Sequence, residues 1–236
     1  LLSLSGVGAT EPTVVSVQPG QTLNAAIAEV EGPVCILLPA GVTEHDAAIT
    51  RRATVIVKGR GRDVSILRPS AKLGPDEGVA LVRHDEAFDG DLILSDFTYD
   101  RAHHPGITPG GGEDVTTGAT IMHVGAEGRV ILRNLAVFHF DFGAREGQET
   151  AGTAFVMARP GQRGRYVLAG KQPDDYHQRE IRLENVLVDF KKDDGIRHRP
   201  GARARSFNFG LVDRLVIDAD CVIRGHLCQS ANPAYT

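Results

Sequence analysis

No tryptophan occurs among the 236 residues, and there are only three cysteines and two methionines. No apolar run approaches the ~18 residues that a helix needs to cross a bilayer, which argues against a membrane-spanning helix and a membrane partner. The three cysteines, Cys35, Cys221 and Cys228, are an odd number, so a framework in which every thiol is paired within the chain is excluded. Cys35 sits in the apolar run VCILL and reads as a buried free thiol. Cys221 and Cys228 are near enough in sequence to pair in an oxidising compartment. Neither sign of charge dominates: 26 Lys+Arg against 30 Asp+Glu leave a net charge of −4, which argues against nucleic acid as a bulk partner. There is no Gly-x-Ser-x-Gly elbow of the hydrolase type. The run Gly110–Gly112 is not followed by Gly-Lys-Ser/Thr and is no phosphate loop. Helical periodicity is almost absent.

What is present is a recurring pattern. Apolar and polar residues alternate on both sides of a small polar residue in LILSDFTY around Asp96, VILRNLAV around Asn134 and IRLENVLV around Asn185. A weaker copy, FGLVDRLV, surrounds Asp213. Alternation signals half-buried strands, and Asn or Asp tolerates a sharp turn between them. Recurrence makes each copy one rung of a stack. The 27 glycines suit a fold with many tight turns. The expected architecture is all-β: a right-handed parallel β-helix, a solenoid with one core through all its coils. A β-sandwich is the alternative. The copies are unequally spaced, so insertions fall in the turns, where solenoids carry their binding sites.

One segment breaks the strand pattern. After the strand VVSV, Thr22 is a suitable N-cap, and Leu23, Ala26, Ile27 and Val30 form one apolar face ended by Gly32 and Pro33. A solenoid exposes apolar surface at its ends, so this short helix is expected to cap the N-terminal one. The whole chain, 1–236, reads as a single domain. Residues 1–12 are expected to be a flexible tail, although LLSLSGVGA also suits the remains of an export signal without its basic region. Residues 100–118 are a loop insertion. No second amphipathic cap is visible near the C-terminus, which leaves truncation, a partner or the tail itself to account for that end.

The segment from the helix onward, with LPAG at 38–41, VKGRG at 57–61 and SIL at 65–67, resembles the opening of the pectate-lyase-like (pectin lyase-like) superfamily of parallel β-helices. The resemblance continues through the Asn/Asp rungs to about Asp218. It implies three strands per coil, the third starting near Gly, at 78–83 (GVALVR), 118–123 (GATIMH), 152–159 (GTAFVMAR) and 195–199 (GIRHR). It also implies a saccharide groove over that third strand.

Four groups of residues can carry chemistry. In FKKDDGIRHRP, Lys191, Lys192, Asp193 and Asp194 lie in a loop that enters a third strand with Arg197. Adjacent carboxylates beside cations shift one another's pKa values, which suits proton transfer. The DDG also resembles the DD loop of polygalacturonases, although their Asn-x-Asp, Gly-His-Gly and Arg-x-Lys set is not present in order. In HFDFGAREGQE, Asp141, Arg145 and Glu146 come near Asp193 and Asp194 if the coils stack in register. They then offer a second catalytic carboxylate or oxygen ligands for calcium, with Asp141 and Glu146 as the metal pair. Third-strand cations, namely Arg83, His84, His123, Arg159, Arg197, His198 and Arg199, are expected to form a stripe that attracts a polyanion. Of these, Arg83, His123, Arg159, His198 and Arg199, with Arg145, are the substrate-binding candidates. The insertion holds His103, His104, Glu113 and Asp114 without a recognised metal-ligand spacing, and suits a lid. HFDFG and ARPG also resemble motifs of pectin methylesterases, but the tryptophan of the second is missing.

The expectation is therefore a secreted carbohydrate-active enzyme that cleaves an acidic polysaccharide, by β-elimination in preference to hydrolysis, with no cofactor or with calcium. The alternative is a non-catalytic carbohydrate-binding or structural β-helix, such as a phage tailspike segment or an adhesin. The sequence leaves the oligomeric state open.

Overall fold

The computed structural model describes residues 10–50, 53–70, 81–84, 90–100, 119–123, 126–138, 152–157, 177–189, 204–209, 211–223 and 226–229. In chain order the elements are β1 (Thr13–Ser16), α1 (Leu23–Ile27), β2 (Val34–Leu37), β3 (Gly41–His45), β4 (Val55–Lys58), β5 (Ser65–Pro69), β6 (Val82–His84) and β7 (Leu92–Asp100). Then follow β8 (Ala119–His123), β9 (Ala126–Phe138), β10 (Gly152–Met157), β11 (His177–Asp189), β12 (Ala204–Phe209), β13 (Leu211–Ile217), β14 (Val222–Ile223) and β15 (His226–Gln229). The protein is mostly β, with strands paired in parallel in one ten-stranded and one five-stranded sheet.

The first sheet has two arms. One arm runs β1-β2-β4-β7-β9-β11-β13. In the other, β3 and β5 pair with one another, β5 pairs with the second half of β7, and β14 pairs with the end of β11. The long strands β7, β9 and β11 serve both arms because each turns at one residue with left-handed backbone: Asp96 (φ 62°), Asn134 (φ 46°) and Asn185 (φ 49°). Asn and Asp tolerate this region better than other residues with a side chain. The second sheet runs β15-β12-β10-β8-β6.

In-register pairing converts alternation along each strand into continuous columns across the strands. Ile36, Val57, Leu94, Leu132, Leu183 and Ile217 occupy one column. Val34, Val55, Leu92, Val130, Ile181 and Leu215 occupy a second. All but the last member of each column are buried. In the other arm, Leu67, Tyr99, Val137 and Val188 form a third buried column. The core carries a polar pair. Buried His45 and Tyr99 meet at 2.8 Å between Nε2 and the hydroxyl. His45 Nδ1 lies 3.2 Å from the Ala47 carbonyl, which can only accept, so in the neutral ring Nδ1 carries the hydrogen and Nε2 accepts from Tyr99.

The helix forms where the sequence puts it. Thr22 Oγ1 accepts from Ala25 N at 3.2 Å, and Leu23 and Ile27 are buried in the common core. The helix stops at Ile27, short of Val30, which closes a turn onto the Ile27 carbonyl. Asn24 pins it sideways: its Oδ1 accepts from Asp46 N and Ala47 N, and its Nδ2 donates to Ala47 O.

Two strand assignments differ from the sequence expectation. Asp213 is not a rung residue. Val212 and Arg214 pair with Gln178 and Glu180, well before the Asn185 turn. The turn that follows Asn185 in the stack lies at Asp218–Asp220, where Asp218 N donates to Leu183 O and Asp220 N to Asp218 Oδ1. Ile217 pairs with Leu183 and Val222 with Leu187, so this turn holds one residue more than the Asn185 turn. The partner of β10 is β12 at 204–209, where the expectation had 195–199. Of the other three third strands, β8 and β10 fall within the expected segments, and β6 overlaps 78–83 and runs one residue past it. Cys35 is half-buried, and desolvation raises its thiol pKa against the opposing pull of Lys58. Cys221 is a free thiol, so the pairing with Cys228 that an oxidising compartment would allow is not made.

Candidate functional site

Three long connections leave the first sheet and return to the second. They are 101–118 between β7 and β8, 139–151 between β9 and β10, and 190–203 between β11 and β12. Their starting points are register partners: Asp100 pairs with Phe138, and Phe138 with Asp189. Their end points are partners too, Ala119 with Thr153 and Gly152 with Ala204. The connections carrying Asp141, Arg145 and Glu146 and carrying Lys191, Lys192, Asp193, Asp194, Arg197, His198 and Arg199 are therefore anchored on neighbouring strands at both ends. Those residues themselves lie outside the described residues, as do Arg159, His103, His104, Glu113 and Asp114.

Two substrate-binding candidates lie in described strands. Arg83 pairs with Met122, and His84 with His123. His123 continues to Met157 and Phe209 in the next strands. Arg83 and His123 thus fall in adjacent columns and do not line up in one. The column that starts at Arg83 runs through Met122, Val156, Asn208 and Cys228, with no further cation.

Sequence reasoning missed two acids at the roots of the connections. Asp100 is half-buried and Asp189 buried, with Phe138 between them in one column. The signal was available: each is the outward position that closes a rung, immediately before its insertion.

Missed as well was a set of ion pairs on the outer face of β7, β9 and β11. Asp91 Oδ2 receives Arg129 Nη2 at 2.6 Å, and Asp91 Oδ1 also receives Arg129 N at 2.8 Å. Arg133 Nε donates to Glu184 Oε2, while Arg182 bridges Glu180 at 2.9 Å and Glu184 at 3.5 Å. The hydrogen bond from Arg133 holds the Glu184 carboxyl below the usual glutamate range, with Arg182 adding to it. The same contacts raise the Arg133 guanidinium, and the bond to Asp91 raises that of Arg129. Each of these carboxylates is engaged by an arginine, so this face ties adjacent strands together and does not present a free acid or base.

No family model, curated protein or solved structure matches the chain.

Proposed function

We propose that the chain is a right-handed parallel β-helix of the pectate-lyase-like kind, secreted, that cleaves an acidic polysaccharide by β-elimination beside its second sheet. The observation that carries the reading is the paired anchoring of the connections 139–151 and 190–203, which begin at Phe138 and Asp189 and end at Gly152 and Ala204. Groups on two connections rooted this way can act on one polymer segment.

In the elimination, a base removes the proton from C5 of a uronic acid unit. The electron pair forms the C4–C5 double bond, the bond from C4 to the glycosidic oxygen breaks, and that oxygen takes up a proton. Lys191 or Lys192 is the base, because an arginine stays protonated under ordinary conditions. Repulsion between Asp193 and Asp194 keeps a proton on one of them, and that carboxyl gives it to the departing oxygen while the lysine keeps the proton taken from C5. Arg197 pairs with the substrate carboxylate, which acidifies the C5 hydrogen. Arg83, His123, Arg145, Arg159, His198 and Arg199 hold neighbouring sugars. Asp141 and Glu146 offer the hard oxygen donors that suit calcium, which when bound neutralises a uronate charge.

A panel of polyuronates incubated with the protein tests this reading. An unsaturated product, seen by its ultraviolet absorbance, supports elimination. New reducing ends without that absorbance mean hydrolysis by the carboxylates. Binding without either product replaces the enzyme with a non-catalytic carbohydrate-binding β-helix.

A further inference from the structure

The two ends of the strand stack differ. At the N-terminal end, α1 buries Leu23 and Ile27 against the core. At the other end, the last members of the two core columns are open: Leu215 is 40% and Ile217 42% exposed, beside buried Ile181 and Leu183. β13 is the terminal strand of its sheet arm and pairs with β11 alone among the described strands. Asp218 N is taken by Leu183 O. By alternation, the backbone groups of Leu215 and Ile217 face the open edge.

We propose that this edge is the docking surface for a second copy of the chain, β13 pairing antiparallel with β13 of the copy about a two-fold axis through Val216. The sequence Arg214-Leu215-Val216-Ile217-Asp218 is self-complementary in that register. Leu215 stands opposite Ile217 twice on the core side, so the two cores join. Arg214 stands opposite Asp218 twice on the outer side, where both residues are exposed. Arg214 makes no ion pair among the described residues, and the neighbouring Glu180 is bonded by Arg182. Asp218 uses one oxygen to accept from Asp220 N and leaves the other for the arginine. The backbone groups facing the edge are those of Leu215 and Ile217, the pair that an antiparallel ladder in this register would bond. Such an interface is isologous, as closed two-fold symmetry requires. It also covers an apolar edge that otherwise invites open-ended aggregation.

Sedimentation of the full chain over a concentration series tests the proposal, with thermal melts confirming that each variant is folded. The wild-type chain sediments as a dimer. Arg214→Asp gathers four carboxylates at the axis and gives a monomer. Asp218→Arg gathers four guanidinium groups and does the same. An equimolar mixture of these two variants restores both opposite-charge pairs and returns the dimer. Asp218→Asn keeps the oxygen for Asp220 N and weakens the dimer by about tenfold, which holds the test open if Asp218→Arg fails to fold. A wild-type monomer at every concentration overturns the proposal. So does a dimer indifferent to Arg214→Asp and Asp218→Asn, or a mixture of folded variants that stays monomeric.

Discussion

Asn185 Nδ2 donates to Asn134 Oδ1 at 3.1 Å, and Asn134 Nδ2 in turn donates to Asp96 Oδ1 at 3.0 Å. The direction of this ladder follows from its far end. There Asn185 Oδ1 receives Arg62 Nη1 at 3.4 Å, from a group that can only donate, so each amide Oδ1 accepts and each Nδ2 donates down the ladder to Asp96 Oδ1. One strand further toward the N-terminus the turn position is Gly59, whose N–H donates to Ser95 O. A Cβ there would collide with the Asp96 carbonyl, so the ladder cannot continue through a larger residue.

Asn134 is bonded on both sides and holds a left-handed backbone. Asn134→Ala is expected to lower stability by about 2–4 kcal/mol, from lost hydrogen bonds and backbone strain together. Asn185→Ala should cost less, about 1–3 kcal/mol, because it breaks the ladder near its end. Urea unfolding of the two variants measures the difference. Equal, negligible losses would show that the ladder only decorates the turns.

Ile27 is buried under α1 in the common core. Ile27→Asp places a carboxylate in that apolar core. A loss of at least about 3 kcal/mol is expected, with increased aggregation. Unchanged melting and solubility would mean that the core does not depend on the helix.

The Arg133–Glu184 pair gives a pH dependence with a definite sign. Its hydrogen bond depresses the Glu184 pKa in the folded chain. A depressed carboxyl stabilises the fold above the unfolded-state value of about 4.3 and loses that contribution as pH falls through the folded-state value. Glu184→Gln should therefore be less stable than wild type at neutral pH by about 0.5 kcal/mol, the scale of a partly exposed pair. The gap should close in acid. Urea midpoints of both proteins across the acid range test this, and a gap that stays constant or widens there contradicts it.

How much of this was legible in the sequence depends on what fixes each feature. The Asn134 and Asn185 turns were readable because a small polar residue between two alternating runs has few other uses. The helix was readable because Thr22, Leu23 and Ile27 combine an N-capping residue with helical spacing. Asp213 misled because alternation alone does not set register: Val212-Asp213-Arg214-Leu215 alternates as a rung does, yet pairs with the start of β11. The real turn at Asp218–Asp220 carries an extra residue and was masked by it. The partner of β10 misled for a related reason. The segments 195–199 and 204–209 are both strand-like, and only long-range pairing selects 204–209. In the candidate site, residue types were legible, but register was not. Nothing local to Arg83 or His123 shows that they fall in adjacent columns.

The sharpest test of the proposed chemistry is at Asp194. It follows Asp193 in the connection that leaves β11 after Asp189 and returns at Ala204, the register partners of the residues that bound the connection carrying Asp141. Asp194→Asn keeps the side chain's shape and removes its charge. If the Asp193–Asp194 pair sets the proton-transfer chemistry, turnover on a polyuronate should fall by roughly 10²–10⁴. Substrate affinity should change far less, because the cations that hold the polymer remain. Asp76, which has no role in the proposed chemistry, serves as the control, and Asp76→Asn should keep full activity. Wild-type turnover in Asp194→Asn would remove the pair from the chemistry and leave Asp-Asp-Gly as an ordinary turn sequence. The search for the acid would then move to Asp141 and to the loop-root residues Asp100 and Asp189.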